Sequence, residues 1–174
     1  MSLGSQKKKL LKRLQWTFQV EGMNVVMFFG ILLFINFHYG FWDYIFLSYG
    51  LILMCYILFQ GTYYWWVKFS SLNEKPIFER TILSRFRAFK KHNRVAIGLI
   101  PIILLIQWYI SGKSLNGDNL FGWAIFANLF AICEYINYYH KQLMYDNRND
   151  LDYLLQNRQL KEASLHKDLR DNKI

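Results

Sequence analysis

The sequence predicts an all-α integral membrane protein, an antiparallel bundle of four transmembrane helices built as two hairpins. Three observations carry this. The chain is 53% hydrophobic and holds 15 Phe, 12 Tyr and 6 Trp in 174 residues, a composition that points to lipid as the solvent. Its mean hydropathy of +0.06 reflects polar residues segregated into blocks. The basic residues behind the net charge of +9 flank the apolar runs, as the positive-inside rule and anionic headgroups require. That placement argues against nucleic acid as the partner.

About 20 apolar residues cross a hydrocarbon core of about 30 Å. Residues 23–42 meet this, interrupted by Asn24, Asn36 and His38. The basic start resembles a signal peptide, but no small-x-small site follows Trp42 and the run is too long, which predicts a retained first span. Residues 44–67 carry no charged side chain and end on Tyr63-Tyr64-Trp65-Trp66, an interfacial aromatic cluster. Residues 95–110 form a shorter span with Pro101, tolerable where neighbours satisfy the freed carbonyl. Residues 120–139 complete the set, with Glu134 as the only charge. Cys55 and Cys133 lie inside apolar runs and read as small hydrophobes.

Orientation follows from charge. The N-terminal segment holds Lys7, Lys8, Lys9, Lys12 and Arg13, and the 68–94 loop holds eight Lys/Arg against Glu74 and Glu79. The two short connections carry Lys113 as their one Lys/Arg. Both termini and the long loop are therefore expected in the cytoplasm, in a plasma membrane of bacterial inner-membrane type. The domain reading is a basic amphipathic segment over 1–22, a transmembrane domain over 23–142 and a cytoplasmic tail over 143–174. The tight 39–43 connection predicts one hairpin, and the polar 111–119 linker predicts a second from spans three and four.

Two amphipathic elements are expected at the cytoplasmic surface. Leu10, Leu11, Leu14, Trp16 and Phe18 would lead the chain along the membrane before it turns inward. In the loop, Pro76 fits the first turn of a helix running to about Lys91. Its face of Phe78, Ile82, Phe86 and Phe89 would dip into the acyl boundary as an in-plane interfacial helix, while Arg80, Arg87, Lys91 and Arg94 meet lipid phosphates. The tail has seven Lys/Arg, six Asp/Glu and partial leucine periodicity, with Asp150 and Ser164 as N-caps of two short helices. Packing beneath the bundle and docking a partner both fit it.

Glu134 is the expensive residue. It lies about 8 Å from the aromatic end of its span at 1.5 Å per residue, and an intramembrane carboxylate is by default a functional-site candidate. Asn137 and Tyr138 share its helix face, His140 follows, and Glu21 and Asn24 open the first span at a similar depth, with Gln60 within reach from span two. The cluster reads as interhelical glue, as a proton-coupled or ion-conducting element, or as a site acting on membrane lipid if Glu21, Glu134 and His140 converge. Glu134-x-x-Asn137-x-x-His140 rotates progressively around its helix, so no metal is assigned, and nothing implies a cofactor. HExxH, GxSxG, P-loop, dinucleotide-binding and CxxC patterns are all absent from the sequence.

The expected function is therefore that of a non-enzymatic accessory or interaction component engaging anionic lipid or a membrane-protein partner at the cytoplasmic face. The alternatives are a small homo-oligomeric transporter or channel using Glu134, and a lipid-modifying enzyme at the inner interface.

Overall fold

The computed structural model describes residues 3–112, 120–144 and 148–174. Among these the chain is all-helical, 82% helix and without strands. The helices are α1 (Leu3–Tyr39), α2 (Ile45–Leu72), α3 (Glu79–Ile110), α4 (Phe121–Tyr139), α5 (Arg148–Asn157) and α6 (Ser164–Asp171). Three of them, α1, α2 and α3, are long and apolar enough to cross a membrane. The 19-residue α4 is not among them; Asn128, Glu134 and Asn137 dilute its apolar run.

α2 is the hub. In its most apolar stretch 67% of residues are buried, against 11% for α1 and for α3. α1 runs antiparallel beside it, from Phe18 against Phe69 at one end to the Asn36–Ser48 hydrogen bond near the other. α4 lies parallel to α2, since Phe121 meets Phe46 and Tyr139 meets Gln60. Ala124, Ala127 and Ala131 of α4 are buried, and small residues of this kind let two backbones approach closely. Where α4 carries bulk, α2 carries glycine: a Cβ at Gly50 would strike Asn128. Exposed Met23, Val26, Phe29, Leu99, Leu105 and Phe126 form an apolar outer surface.

Three expectations are corrected. The N-terminal segment does not turn along a surface, because α1 is one helix of 37 residues, about 55 Å at 1.5 Å per residue. The in-plane helix of the 68–94 loop does not form either. α2 continues to Leu72, α3 begins at Glu79 and runs on through Pro101 to Ile110, and only a short connection is left between them. The physical reason is that the stripe meant for lipid has a protein partner. Ile82 and Phe86 are buried, and Phe86 packs on Tyr63 and Tyr64 of α2. Nor do the last two long helices form a close hairpin: α3 and α4 touch little, and each packs chiefly on α2. Residues 113–119 of the linker expected to join them lie outside the described residues.

The Tyr49 hydroxyl of α2 donates to the Ala96 carbonyl at 2.7 Å, one residue before the Ile97 carbonyl that Pro101 leaves without its helical donor. Ser164 is the first residue of α6 rather than its cap, which is Ala163, and Asp150 falls inside α5. The tail packs against the bundle through α6. Leu165 is buried, Lys141 and Glu162 form an antiparallel bridge, and Asp168 reaches α2.

Candidate functional site at the charged end of the bundle

The expected polar cluster falls into two sets of partners, one about Glu21 and Tyr138 and one about Gln60, Tyr139 and His140. On the α1 side, Glu21 Oε1 accepts a 2.9 Å hydrogen bond from the Trp65 indole. Its Oε2 is buried and lies beside the Tyr138 hydroxyl. Gly61 makes this meeting possible. A Cβ there would overlap both the Tyr138 ring and the Glu21 carboxylate, so Glu21 of α1 and Tyr138 of α4 meet across α2 because α2 has no side chain at that point. Behind Tyr138 stands Glu134, 7% exposed, whose Oε2 accepts from Asn137 Nδ2 at 3.3 Å. The Asn137 carbonyl oxygen in turn accepts from the backbone N–H of Leu143 at 2.8 Å, which fixes the chain leaving α4. Asn24 sits one turn deeper on α1, outside this set.

A cleft of about 290 Å³ opens beside these groups, between α1, the ends of α2 and α4, and the returning tail. Glu21, Trp65, Asn137 and Tyr138 line it, with Arg13, Thr17, Lys161 and Ser164 among the other polar walls. Neither Arg13 nor Lys161 stood out in the sequence, because nothing local says that the tail returns to lie against α1.

His140 belongs to the second site, on the α3 side. Its Nε2 lies 3.3 Å from the Tyr135 hydroxyl and its ring 5.9 Å from that of His166. Burial holds its pKa below the ordinary imidazole value, with Lys90, His166 and Arg94 adding repulsion. No family model, curated protein or solved structure matches this chain. The site must therefore be read from its own geometry. Gln60 and Asn93, both fully buried, exchange two amide hydrogen bonds at 3.1 and 2.8 Å, and the Tyr139 hydroxyl donates to Gln60 Oε1 at 2.7 Å. Three helices are thereby clamped by groups whose desolvation is compensated. The Tyr139 carbonyl accepts from Lys90 Nζ at 3.3 Å and from His166 at 2.6 Å, which places a proton on His166 Nδ1.

The convergence of Glu21, Glu134 and His140 that lipid chemistry would need is not formed: the two carboxylates gather about Tyr138, whereas the imidazole turns to Tyr135 and His166. Among the described residues no group of three or more His, Cys, Asp or Glu is placed to hold a metal ion. Of the cations expected to meet lipid, Arg80, Lys91 and Arg94 are exposed. Arg87 is occupied by the tail, donating to the Leu169 carbonyl at 3.4 Å and to Asn172 Oδ1.

Proposed function

We propose that the chain is a four-span plasma-membrane protein of bacterial inner-membrane type with both termini in the cytoplasm, and that it acts without catalysis by engaging anionic lipid at its cytoplasmic face. The observation that carries this reading is the rigid projection of charge beyond the apolar surface. α1 extends into a helical segment with Lys7, Lys8, Lys9 and Lys12 exposed, and α3 extends likewise with Arg80, Lys91 and Arg94 exposed. Cations held on helices at that level meet headgroups at little ordering cost, each worth about 1 kcal/mol near an anionic surface. Support for the fourth span is α4 itself, about 28 Å long at 1.5 Å per residue, parallel to α2 with Trp123, Phe126 and Leu129 turned outward.

Purified protein in nanodiscs of mixed composition tests this. Enrichment of phosphatidylglycerol over phosphatidylcholine, reduced by joint substitution of Arg80, Lys91 and Arg94 with Gln, is the expected result. No preference for anionic lipid, together with no co-purifying protein, would remove its basis. Membrane-impermeant labelling of tags at residues 1 and 174 reports the orientation.

A second reading, passage of a solute by Glu134, draws on one specific feature: two carboxylates share a buried neighbourhood beside a cleft at one end of the bundle. Glu134→Gln would then abolish flux into proteoliposomes with the fold intact, and unchanged flux excludes it.

A further inference from the structure

We propose that the face of α3 beside the end of α4 seats the phosphate of a phosphomonoester lipid, with Lys90 and Arg94 as its ligands and the exposed His140 ring as its far wall. The proposal deepens the anionic-lipid reading above and rests on it. Lys90 and Arg94 are four residues apart, so they share one face of α3 a single turn apart. That face meets the end of α4, where Lys90 Nζ donates to the Tyr139 carbonyl at 3.3 Å and the Tyr139 ring stacks on that of Tyr135, one turn back, at 5.3 Å. α3 runs antiparallel to α2, through the Gln60–Asn93 and Phe46–Gln107 contacts, and therefore antiparallel to α4. Arg94 thus comes level with Tyr135, and its charge acts on both Tyr135 and His140.

The two cations are left uncompensated. Among the described residues neither forms an ion pair, and Arg94 is exposed with no hydrogen bond from its guanidinium. Lys90 commits one ammonium N–H to the Tyr139 carbonyl and keeps two for a ligand. The carboxylates of α4 and of the returning tail are engaged elsewhere, Glu134 with Asn137 and Glu162 with Arg170. Cations at the edge of an apolar span hold an anionic partner, from the protein or from the lipid. Just past Arg94 the surface turns apolar, with Val95 and Leu99 exposed, and a Cβ at Gly98, one turn on, would have nothing within 4 Å. Charge followed by an open apolar strip is the order of a phosphate followed by acyl chains. Two cations a turn apart match a phosphomonoester, which carries a charge of about −1.5 to −2 near pH 7, better than a singly charged phosphodiester. Arg94 also offers paired N–H groups to two oxygens of one phosphate.

Native mass spectrometry of the full-length chain tests this, after reconstitution in equal parts of phosphatidic acid, phosphatidylglycerol and phosphatidylcholine. Phosphatidic acid should be retained roughly fivefold over phosphatidylglycerol, the worth of one further charge at the surface. Arg94→Gln should remove that preference, and Lys90→Gln should reduce it severalfold. Arg80→Gln with Lys91→Gln takes two charges from the same helix and should lower total anionic lipid while leaving the preference for phosphatidic acid intact. Equal retention of the two anionic lipids, or a preference undiminished by Arg94→Gln, overturns the site; enrichment of both over phosphatidylcholine would then still uphold anionic-lipid engagement. No enrichment of either over phosphatidylcholine overturns both readings. Titration calorimetry with glycerol 3-phosphate separates the sources. Binding of that soluble phosphomonoester as tight as that of the lipid would overturn a lipid ligand, and binding at least about tenfold weaker is the expected result.

Discussion

The Tyr64 hydroxyl donates to Asp168 Oδ2 at 2.7 Å, and the same oxygen takes Lys68 Nζ at 2.8 Å. Two groups of α2 thus hold one carboxylate of α6. The Asp168 side chain is 14% exposed and that of Lys68 25%, so solvent screens this pair far less than a surface pair. A hydrogen bond to a charged group contributes about 1.5–3 kcal/mol. Asp168→Ala should therefore release α6 by that amount, seen as faster amide hydrogen exchange over 160–174 with the α2 amides unchanged. Asp168→Asn, which keeps an acceptor for Tyr64, should release it less. Equal exchange in all three proteins would show that the buried Leu165, not the ion pair, holds the tail.

The Gln60–Asn93 amide pair makes a different kind of prediction, because its value lies in compensation. Each amide is removed from water and each is satisfied by the other, with Tyr139 supplying a further donor. Asn93→Ala leaves Gln60 buried and short of its main partner, at a cost of about 1–3 kcal/mol. Gln60→Leu with Asn93→Leu removes both groups and should cost less than the two single substitutions added together. Unfolding in graded denaturant with all four proteins measures the coupling, and strict additivity would mean that the amides act independently.

The apolar lengths, the charge blocks and the placing of a carboxylate, Glu134, inside an apolar run were legible because each is a property of neighbouring residues. What was not legible depends on which face of a helix meets which partner. Phe86 has the spacing of a lipid-dipping aromatic, but its ring packs on Tyr63 and Tyr64 because α2 extends far enough to receive it. Glu134 and His140 lie six residues apart on one segment, yet their side chains turn to different partners, Asn137 for the carboxylate and Tyr135 for the imidazole. Gly61 looked like an ordinary residue of an apolar helix, and only the approach of Glu21 from α1 and Tyr138 from α4 gives it a role. Arg13 and Lys161 come together through the return of the tail, which no local pattern encodes.

Gly61 is the position where one added methyl should matter most. A Cβ there collides with a ring packed against the helix and with a carboxylate held by Trp65, so neither neighbour retreats freely. Overpacking of this sort costs about 1–3 kcal/mol. At Gly98, where nothing lies within 4 Å, the same substitution removes only the helix-weakening effect of glycine, a gain of about 0.5–1 kcal/mol. Gly61→Ala should lower the melting temperature and change Trp65 fluorescence, whereas Gly98→Ala should raise it slightly. If the two variants melted alike, the contact of α1 with α4 across α2 would contribute nothing to stability.

The tail should also loosen in acid, and His140 gives the sign. Its pKa in the folded chain is depressed by burial and by Lys90, His166 and Arg94, so the neutral ring is the form the fold accepts. In the unfolded chain the ring takes up its proton near the ordinary value of about 6.5. Above that pH both states are neutral and the fold loses nothing. As pH falls through and below it, the unfolded chain binds the proton first, and stability declines until the folded pKa is passed. His140 is bonded by its backbone to the returning segment, with its carbonyl accepting from Ala163 N–H at 3.2 Å. The loss should therefore appear first as faster proteolysis of the tail at pH 5.5 than at 7.5. His140→Gln, which cannot charge, should flatten that difference while leaving the rate at pH 7.5 little changed. An undiminished pH response in the variant would show that the His140 ring is not the group responsible.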